Sequence, residues 1–184
     1  KFGGAAGSLK SETVLVAATR YIQNPKYRAI IFRKSHPEIE FLIDRTHGLY
    51  SQLSGEWHAA EKRWKWPWGS FIEFRHLDRD SDVYKYQGPE YQFAAFDEST
   101  HQKEFVMRYI LNSRMRSTEG LPQRMLLATN PGNVGHNFHK LIFQGKKCVH
   151  CILKAAAESG REPHWLPDSK KPFEIYDDAR WPSD

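Results

Sequence analysis

Apolar positions along the chain change period several times, and each change marks an element. From Ser11 to Asn24 the residues Val14, Leu15, Ala18 and Ile22 fall on one helical face, and Asn24-Pro25 stops the run. Tyr27 to Arg33 (YRAIIFR) is a short β-forming run that predicts a buried strand. His36 to Leu53 returns to helical spacing, with Ile39, Leu42, Ile43, Thr46 and Tyr50 on the inner face and Pro37 in the first turn. Between Trp57 and Leu77 the period drops to two. Trp64, Trp66 and Trp68 alternate with Lys65 and Pro67, and the chain turns at Pro67-Trp68-Gly69-Ser70, so a β-hairpin is expected. Its aromatic face reads first as packing surface, with a grip on nucleic acid as the alternative.

The polar stretch Asp78 to Pro89 reads as a loop with a turn of helix. Tyr91 to Phe96 is a strand ending in two acids, Asp97 and Glu98. Lys103 to Arg116 reads as a helix with Phe105, Tyr109 and Ile110 inward. Arg124 to Gly132 is a buried strand running into Asn130-Pro131-Gly132, and Gly135 to Gln144 a short helix. Strands alternating with helices predict an α/β domain with a mainly parallel sheet. With 184 residues, 40% hydrophobic and 14% aromatic, the chain can bury a sizeable core, and composition argues for a folded protein over a disordered one.

The net charge of +5 is compatible with a nucleic-acid partner and equally with an ordinary basic surface. Two cysteines, Cys148 and Cys151, give no disulfide framework and suit a reducing compartment. No apolar run approaches about 18 residues and no signal peptide opens the chain, so a soluble, intracellular protein is expected.

Chemistry concentrates at Gly4-Ala5-Ala6-Gly7-Ser8-Leu9-Lys10-Ser11. Glycines before Lys-Ser at the mouth of a helix have the layout of a phosphate-binding loop. Backbone N–H groups cradle phosphates, Lys10 reaches the β/γ oxygens and Ser11 holds Mg²⁺. The pattern G-x-x-x-x-G-K-S/T is missed at one place, where Leu9 replaces the second glycine. Asp97 and Glu98 end a strand at the sheet edge where open α/β folds bind ligands. Asp97 would join the Mg²⁺ shell, and Glu98 would orient and deprotonate an attacking water. Thr129 and Asn130 would stand beside the γ-phosphate as sensors.

Cys148 and Cys151 read first as free thiols. A zinc site with His150 and His164, or with His136 or His139, and a redox pair are the alternatives. Glu174, Asp177 and Asp178 read as a solvated acidic face before a nuclease site.

The segments GGAAGSLKS at 3–11, IIFRKSHPEI at 30–39, WKWPWGSFIEFRHL at 64–77, YQGPEYQFAAFDEST at 86–100 and LLATNPG at 126–132 together resemble the ATPase domain of the large terminase subunit of tailed bacteriophages. The likeness spans residues 2 to 144. It implies a P-loop NTPase fold of the RecA-like, additional-strand type with an added β-hairpin. It further implies ATP and Mg²⁺ as ligands, Lys10 and Glu98 as catalytic residues, Asp97 as the Walker B acid, and Thr129 and Asn130 as a coupling motif. Duplex DNA, a portal protein, the small terminase subunit and a homo-oligomeric ring are the implied partners, and the host cytoplasm the implied location.

Residues 1–145 are expected to form the ATPase core and 146–184 an extension toward a nuclease domain outside the chain, so no DNA cleavage is expected. Only Lys1 and Phe2 precede the loop, so the strand and the adenine-binding segment that lead into it read as missing. Gln87 stands where many relatives place an arginine that acts on the neighbouring subunit, and Arg33, Arg79 and Arg116 are the candidate substitutes. Another nucleic-acid-dependent, helicase-like ATPase is one rival, distinguished by unwinding against packaging. A non-hydrolysing nucleotide-binding module is the other, kept open by Leu9, Gln87 and the absent strand.

Overall fold

A computed structural model describes residues 2–3, 9–86, 88–118, 120–130 and 132–140. Its elements in chain order are β1 (Phe2–Gly3), α1 (Lys10–Ala18), β2 (Arg28–Arg33), α2 (His36–Gln52), β3 (Glu56–His58), β4 (Arg63–Lys65), β5 (Phe71–His76), a 3₁₀ segment (Asp80–Tyr86), β6 (Phe93–Phe96), a 3₁₀ turn (Ser99–His101), α3 (Glu104–Arg114), β7 (Arg124–Thr129) and α4 (His136–His139).

The strands form a seven-stranded sheet in the order β1-β7-β6-β2-β5-β4-β3. The first five run parallel, and β4 and β3 fold back antiparallel. The added hairpin is therefore real, and its second arm, β5, is also a central parallel strand paired with β2 from Arg28↔Phe71 to Arg33↔His76. Ahead of the loop, where the strand was expected to be missing, Phe2–Gly3 pairs parallel with Ala128 and Thr129.

Alternation along the parallel strands sends side chains to two cores. Ala29, Ile31, Ile72, Phe74, Phe93, Ala95 and Ala128 face α1 and α2, which contribute Val14, Leu15, Ala18, Ile39, Leu42, Ile43 and Tyr50. Ile30, Phe32, Ala94, Phe96 and Leu127 face Val83, Val106, Met107, Ile110 and Phe138. Covered on both faces, β2 and β6 read as unbroken apolar runs.

Two helices depart from expectation. α1 ends at Ala18, not Asn24, and the rest of that span is turns, closed by Asn24 N–H donating to the Tyr21 carbonyl at 2.9 Å. In α3 the inward residues are Val106, Met107 and Ile110, while Phe105 turns to solvent beside Tyr84 and Tyr109. An aromatic period is a poor guide on a helix with one narrow buried stripe.

Of the two readings of the hairpin, packing holds for Trp64 and Trp66, which are buried in the core under α2. Their indole N–H groups donate to Thr46 Oγ1 at 2.8 Å and to the Leu53 carbonyl at 2.9 Å. Trp68, at the turn, is partly exposed and bonds the Ile22 carbonyl.

Buried phenols clamp the layers. Tyr27 donates to the Ala18 carbonyl and Tyr50 to the Leu15 carbonyl, each at 2.9 Å, while Tyr91 donates to Glu73 Oε2 at 2.8 Å. Burial pushes all three hydroxyls well above their ordinary value near 10, and the Glu73 carboxylate adds to the effect at Tyr91. Folding thus favours the protonated phenols. Their contribution is complete below pH 10 and is lost as pH rises further, because the unfolded chain then binds fewer protons than the folded one. Unfolding free energy is expected to fall above pH 10 by up to about 1.4 kcal/mol per pH unit for each such tyrosine. Urea titrations between pH 8 and about 11.5 should show a shallower decline in Tyr27→Phe; an unchanged slope would refute this account.

Candidate functional site

Because β1, β7, β6 and β2 are parallel, their C-terminal ends lie along one edge of the sheet, and the start of α1 meets them there. Lys10, in the first turn of α1, is 8% exposed and donates from Nζ to Asn130 Oδ1 at 2.7 Å, just past β7. Ser11 Oγ donates to Asp97 Oδ2 at 2.8 Å, just past β6. Residues 86 and 120 positions apart in sequence are thereby brought to one place.

Asp97 is 2% exposed, and a buried carboxylate requires compensation. The compensation comes from Arg33 at the end of β2, whose Nε and one terminal nitrogen reach Asp97 Oδ2 at 2.8 and 2.5 Å. The same guanidinium lies 3.8 Å from Glu98 Oε1. Glu98 itself takes a left-handed backbone (φ 54°, ψ 46°), uncommon for a residue with a Cβ. Its other oxygen is 3.4 Å from His101 Nδ1. Glu38 lies close enough that Glu38, Glu98 and His101 offer three ligand atoms within 4.8 Å of one another, though Glu38 already accepts the Ser35 N–H at 3.0 Å across the start of α2.

The β6 and β7 ends are stitched together. Ser99 Oγ donates to the Ala128 carbonyl at 3.0 Å and Thr100 Oγ1 to the Asn130 carbonyl at 3.1 Å. The Thr129 hydroxyl turns to the Asn130 carbonyl at 2.9 Å, so of the two expected sensors only Asn130 contacts Lys10 through its side chain. Gly135 packs directly on this turn. Its N–H donates to the Thr100 carbonyl at 2.8 Å, and a Cβ there would lie 2.5 Å from the Gln102 carbonyl oxygen.

Among the described residues, Lys10, Ser11, Asp97, Glu98 and Asn130 therefore sit at one edge of the sheet. Gly4, Ala5, Ala6, Gly7 and Ser8 lie outside the described residues, as do Gln87, Cys148, His150, Cys151, His164, Glu174, Asp177 and Asp178. Leu9 precedes α1 with a negative φ (−59°, ψ 32°), outside the left-handed region that favours glycine, and its side chain is 74% exposed. Sequence reasoning missed two neighbours. Arg33 was expected only as a substitute for the arginine that reaches another subunit, yet it is 9% exposed and engaged within its own chain. No motif marked His101. The signal for Arg33 was available, because a cation ending a strand parallel to the acid-ending strand must arrive at the same edge.

The donor set suits Mg²⁺. A hydroxyl and a carboxylate, 2.8 Å apart, are hard oxygen ligands, and a cationic group already rests on the carboxylate.

No family model matches the chain, and no curated protein matches it by sequence. Solved structures do. The large terminase of a thermophilic bacteriophage aligns with a TM-score of 0.61 at 14% identity, covering 78% of this chain and 36% of that one. The large terminase ATPase domain of a Thermus phage aligns with a TM-score of 0.52 at 15% identity, covering 91% of this chain and 71% of that one. The chain shares its fold with these two structures: a mixed sheet flanked by helices, with an extra strand, β7, between the strand that leads into the glycine loop and the strand that ends in Asp-Glu. Among the described residues no helix is long and apolar enough to cross a membrane.

Proposed function

We propose that the chain is the ATP-hydrolysing motor domain of a phage large terminase, driving duplex DNA into a capsid. The observation that carries this reading is the joining of Lys10 to Asn130 and of Ser11 to Asp97 at one sheet edge, with Glu98 next to Asp97. Lys10 binds the β/γ-phosphate oxygens, and the loop from Gly4 to Leu9 supplies backbone N–H groups to them. Ser11 and Asp97 hold Mg²⁺, which when bound neutralises charge on the transferred phosphoryl group. Glu98 accepts the proton of the attacking water.

Asn130 is the coupling residue. When Lys10 turns to phosphate, the bond that ties α1 to the end of β7 is released, and the change passes to the Thr100–Gly135 contact beneath α4. Thr129 supports this from within the turn. Motor action places duplex DNA, a portal protein, the small terminase subunit and a ring of copies among the partners, in the host cytoplasm. Residues 1–145 make up the ATPase core and 146–184 an extension.

The test is nucleotide binding and Mg²⁺-dependent ATP turnover of the purified chain, with and without duplex DNA. Lys10→Ala removes a charged donor and is expected to weaken nucleotide binding by about 10- to 100-fold. Failure of the unmodified chain to bind nucleotide would sink the reading.

A further inference from the structure

Asp97 Oδ2 is crowded. It accepts the Ser11 hydroxyl and two N–H groups of Arg33, all on one oxygen of a carboxylate that is 2% exposed. A divalent metal held by Ser11 and Asp97 needs that region, and a guanidinium and a metal ion repel each other at such range. Arg33 has a second carboxylate within reach, because the terminal nitrogen on Asp97 is also 3.8 Å from Glu98 Oε1. Arg33 ends β2, whose neighbours β6 and β5 fix its backbone, so the displacement is confined to the side chain.

We propose that Arg33 is a stand-in for the metal cation. It compensates Asp97 and keeps the Ser11–Asp97 pair aligned while the site is without metal, yields Oδ2 when Mg²⁺ enters, and then fixes the carboxylate of Glu98. Metal loading and orientation of the base are thereby one event, and Glu98 is set only in a loaded site. Arg33 is a positioning residue in this scheme. The proposal rests on the reading of Ser11 and Asp97 as the metal pair.

Two consequences have opposite signs. Without the arginine, Mg²⁺ no longer competes with a guanidinium for Asp97 and binds better. Without it, Glu98 is less well oriented and turnover falls. A purely structural arginine would weaken both together.

The experiment compares the unmodified chain with Arg33→Gln and Arg33→Lys. Thermal unfolding is followed with and without millimolar Mg²⁺ and no nucleotide. Mg²⁺ is expected to raise the melting temperature of Arg33→Gln by about 4 °C and that of the unmodified chain by less than about 1 °C. Adding Asp97→Asn to Arg33→Gln should abolish the shift. In turnover, the Mg²⁺ concentration at half-maximal rate is expected to fall about 5-fold in Arg33→Gln, while the rate at saturating Mg²⁺ falls at least about 10-fold.

Absence of a Mg²⁺-specific shift in Arg33→Gln, or a raised Mg²⁺ requirement, would overturn the proposal. Should Arg33→Gln fail to fold, Arg33→Lys decides. Its single amine cannot make both bonds, so its Mg²⁺ requirement should also fall, and an unchanged or raised value counts against the proposal. The two readings fail separately. A Mg²⁺ shift in Arg33→Gln with no nucleotide binding by the unmodified chain would leave the stand-in and remove the ATPase. Normal turnover with an unaltered Mg²⁺ requirement would do the reverse.

Discussion

Glu98→Gln is expected to lower ATP turnover by about 10²- to 10⁴-fold while leaving nucleotide affinity within about threefold. The amide keeps the size of the carboxylate but has no basic oxygen to take a proton from water. Folding should be little affected, because the left-handed backbone at φ 54° is as unfavourable for glutamine as for glutamate, and the ion contacts at risk are long, 3.8 Å to Arg33 and 3.4 Å to His101. Glu98→Gly separates backbone from side chain. Glycine accepts positive φ freely, so this variant should equal or exceed the unmodified chain in stability, by about 1 kcal/mol at most, and still be inactive. Measured kcat decides the matter. More than a tenth of normal turnover in Glu98→Gln would mean that the base is another group.

Trp64→Ala is expected to cost about 3–5 kcal/mol of folding free energy. For a domain whose whole stability is of order 5–15 kcal/mol, that places the variant near unfolding. Trp64 is 1% exposed and meets the rings of His47, Tyr50 and Trp57 at centroid distances of 5.1, 5.7 and 5.7 Å. Its indole N–H donates to Thr46 Oγ1, so truncation also leaves that oxygen without a donor. Trp64→Phe retains most of the ring contact and should lose about 1–2 kcal/mol. Urea midpoints measure both. A Trp64→Ala variant within about 1 kcal/mol of the unmodified chain would show that the hairpin is not packed beneath α2.

The Trp64 contacts show how unevenly the fold was legible. Alternation of Trp64, Trp66 and Trp68 identified the turn at Gly69, whose φ of 103° suits glycine. Alternation said nothing of what the indoles touch. The inner face of α2 was legible residue by residue, from Ile39 to Tyr50, because a helix written at period 3.6 over 17 residues leaves one stripe to bury. The short β3–β4 pairing was not, since three-residue strands carry too little pattern.

The candidate site divides along the same line. Sequence by itself determined the chemical inventory: a lysine and a serine opening a helix, two acids ending a strand, and Thr129-Asn130 ending another. Those assignments are local, because the residue type, the spacing and the apolar run before it lie within about ten positions of chain. Only the tertiary structure decided which of these groups meet. The parallel order β1-β7-β6-β2 puts Asn130 against Lys10, Asp97 against Ser11, and Arg33 on Asp97 where sequence had offered it to a neighbouring subunit. Pairing between strands 60 or more residues apart is chosen by the whole sheet burying both its faces at once, and no window of sequence contains that condition.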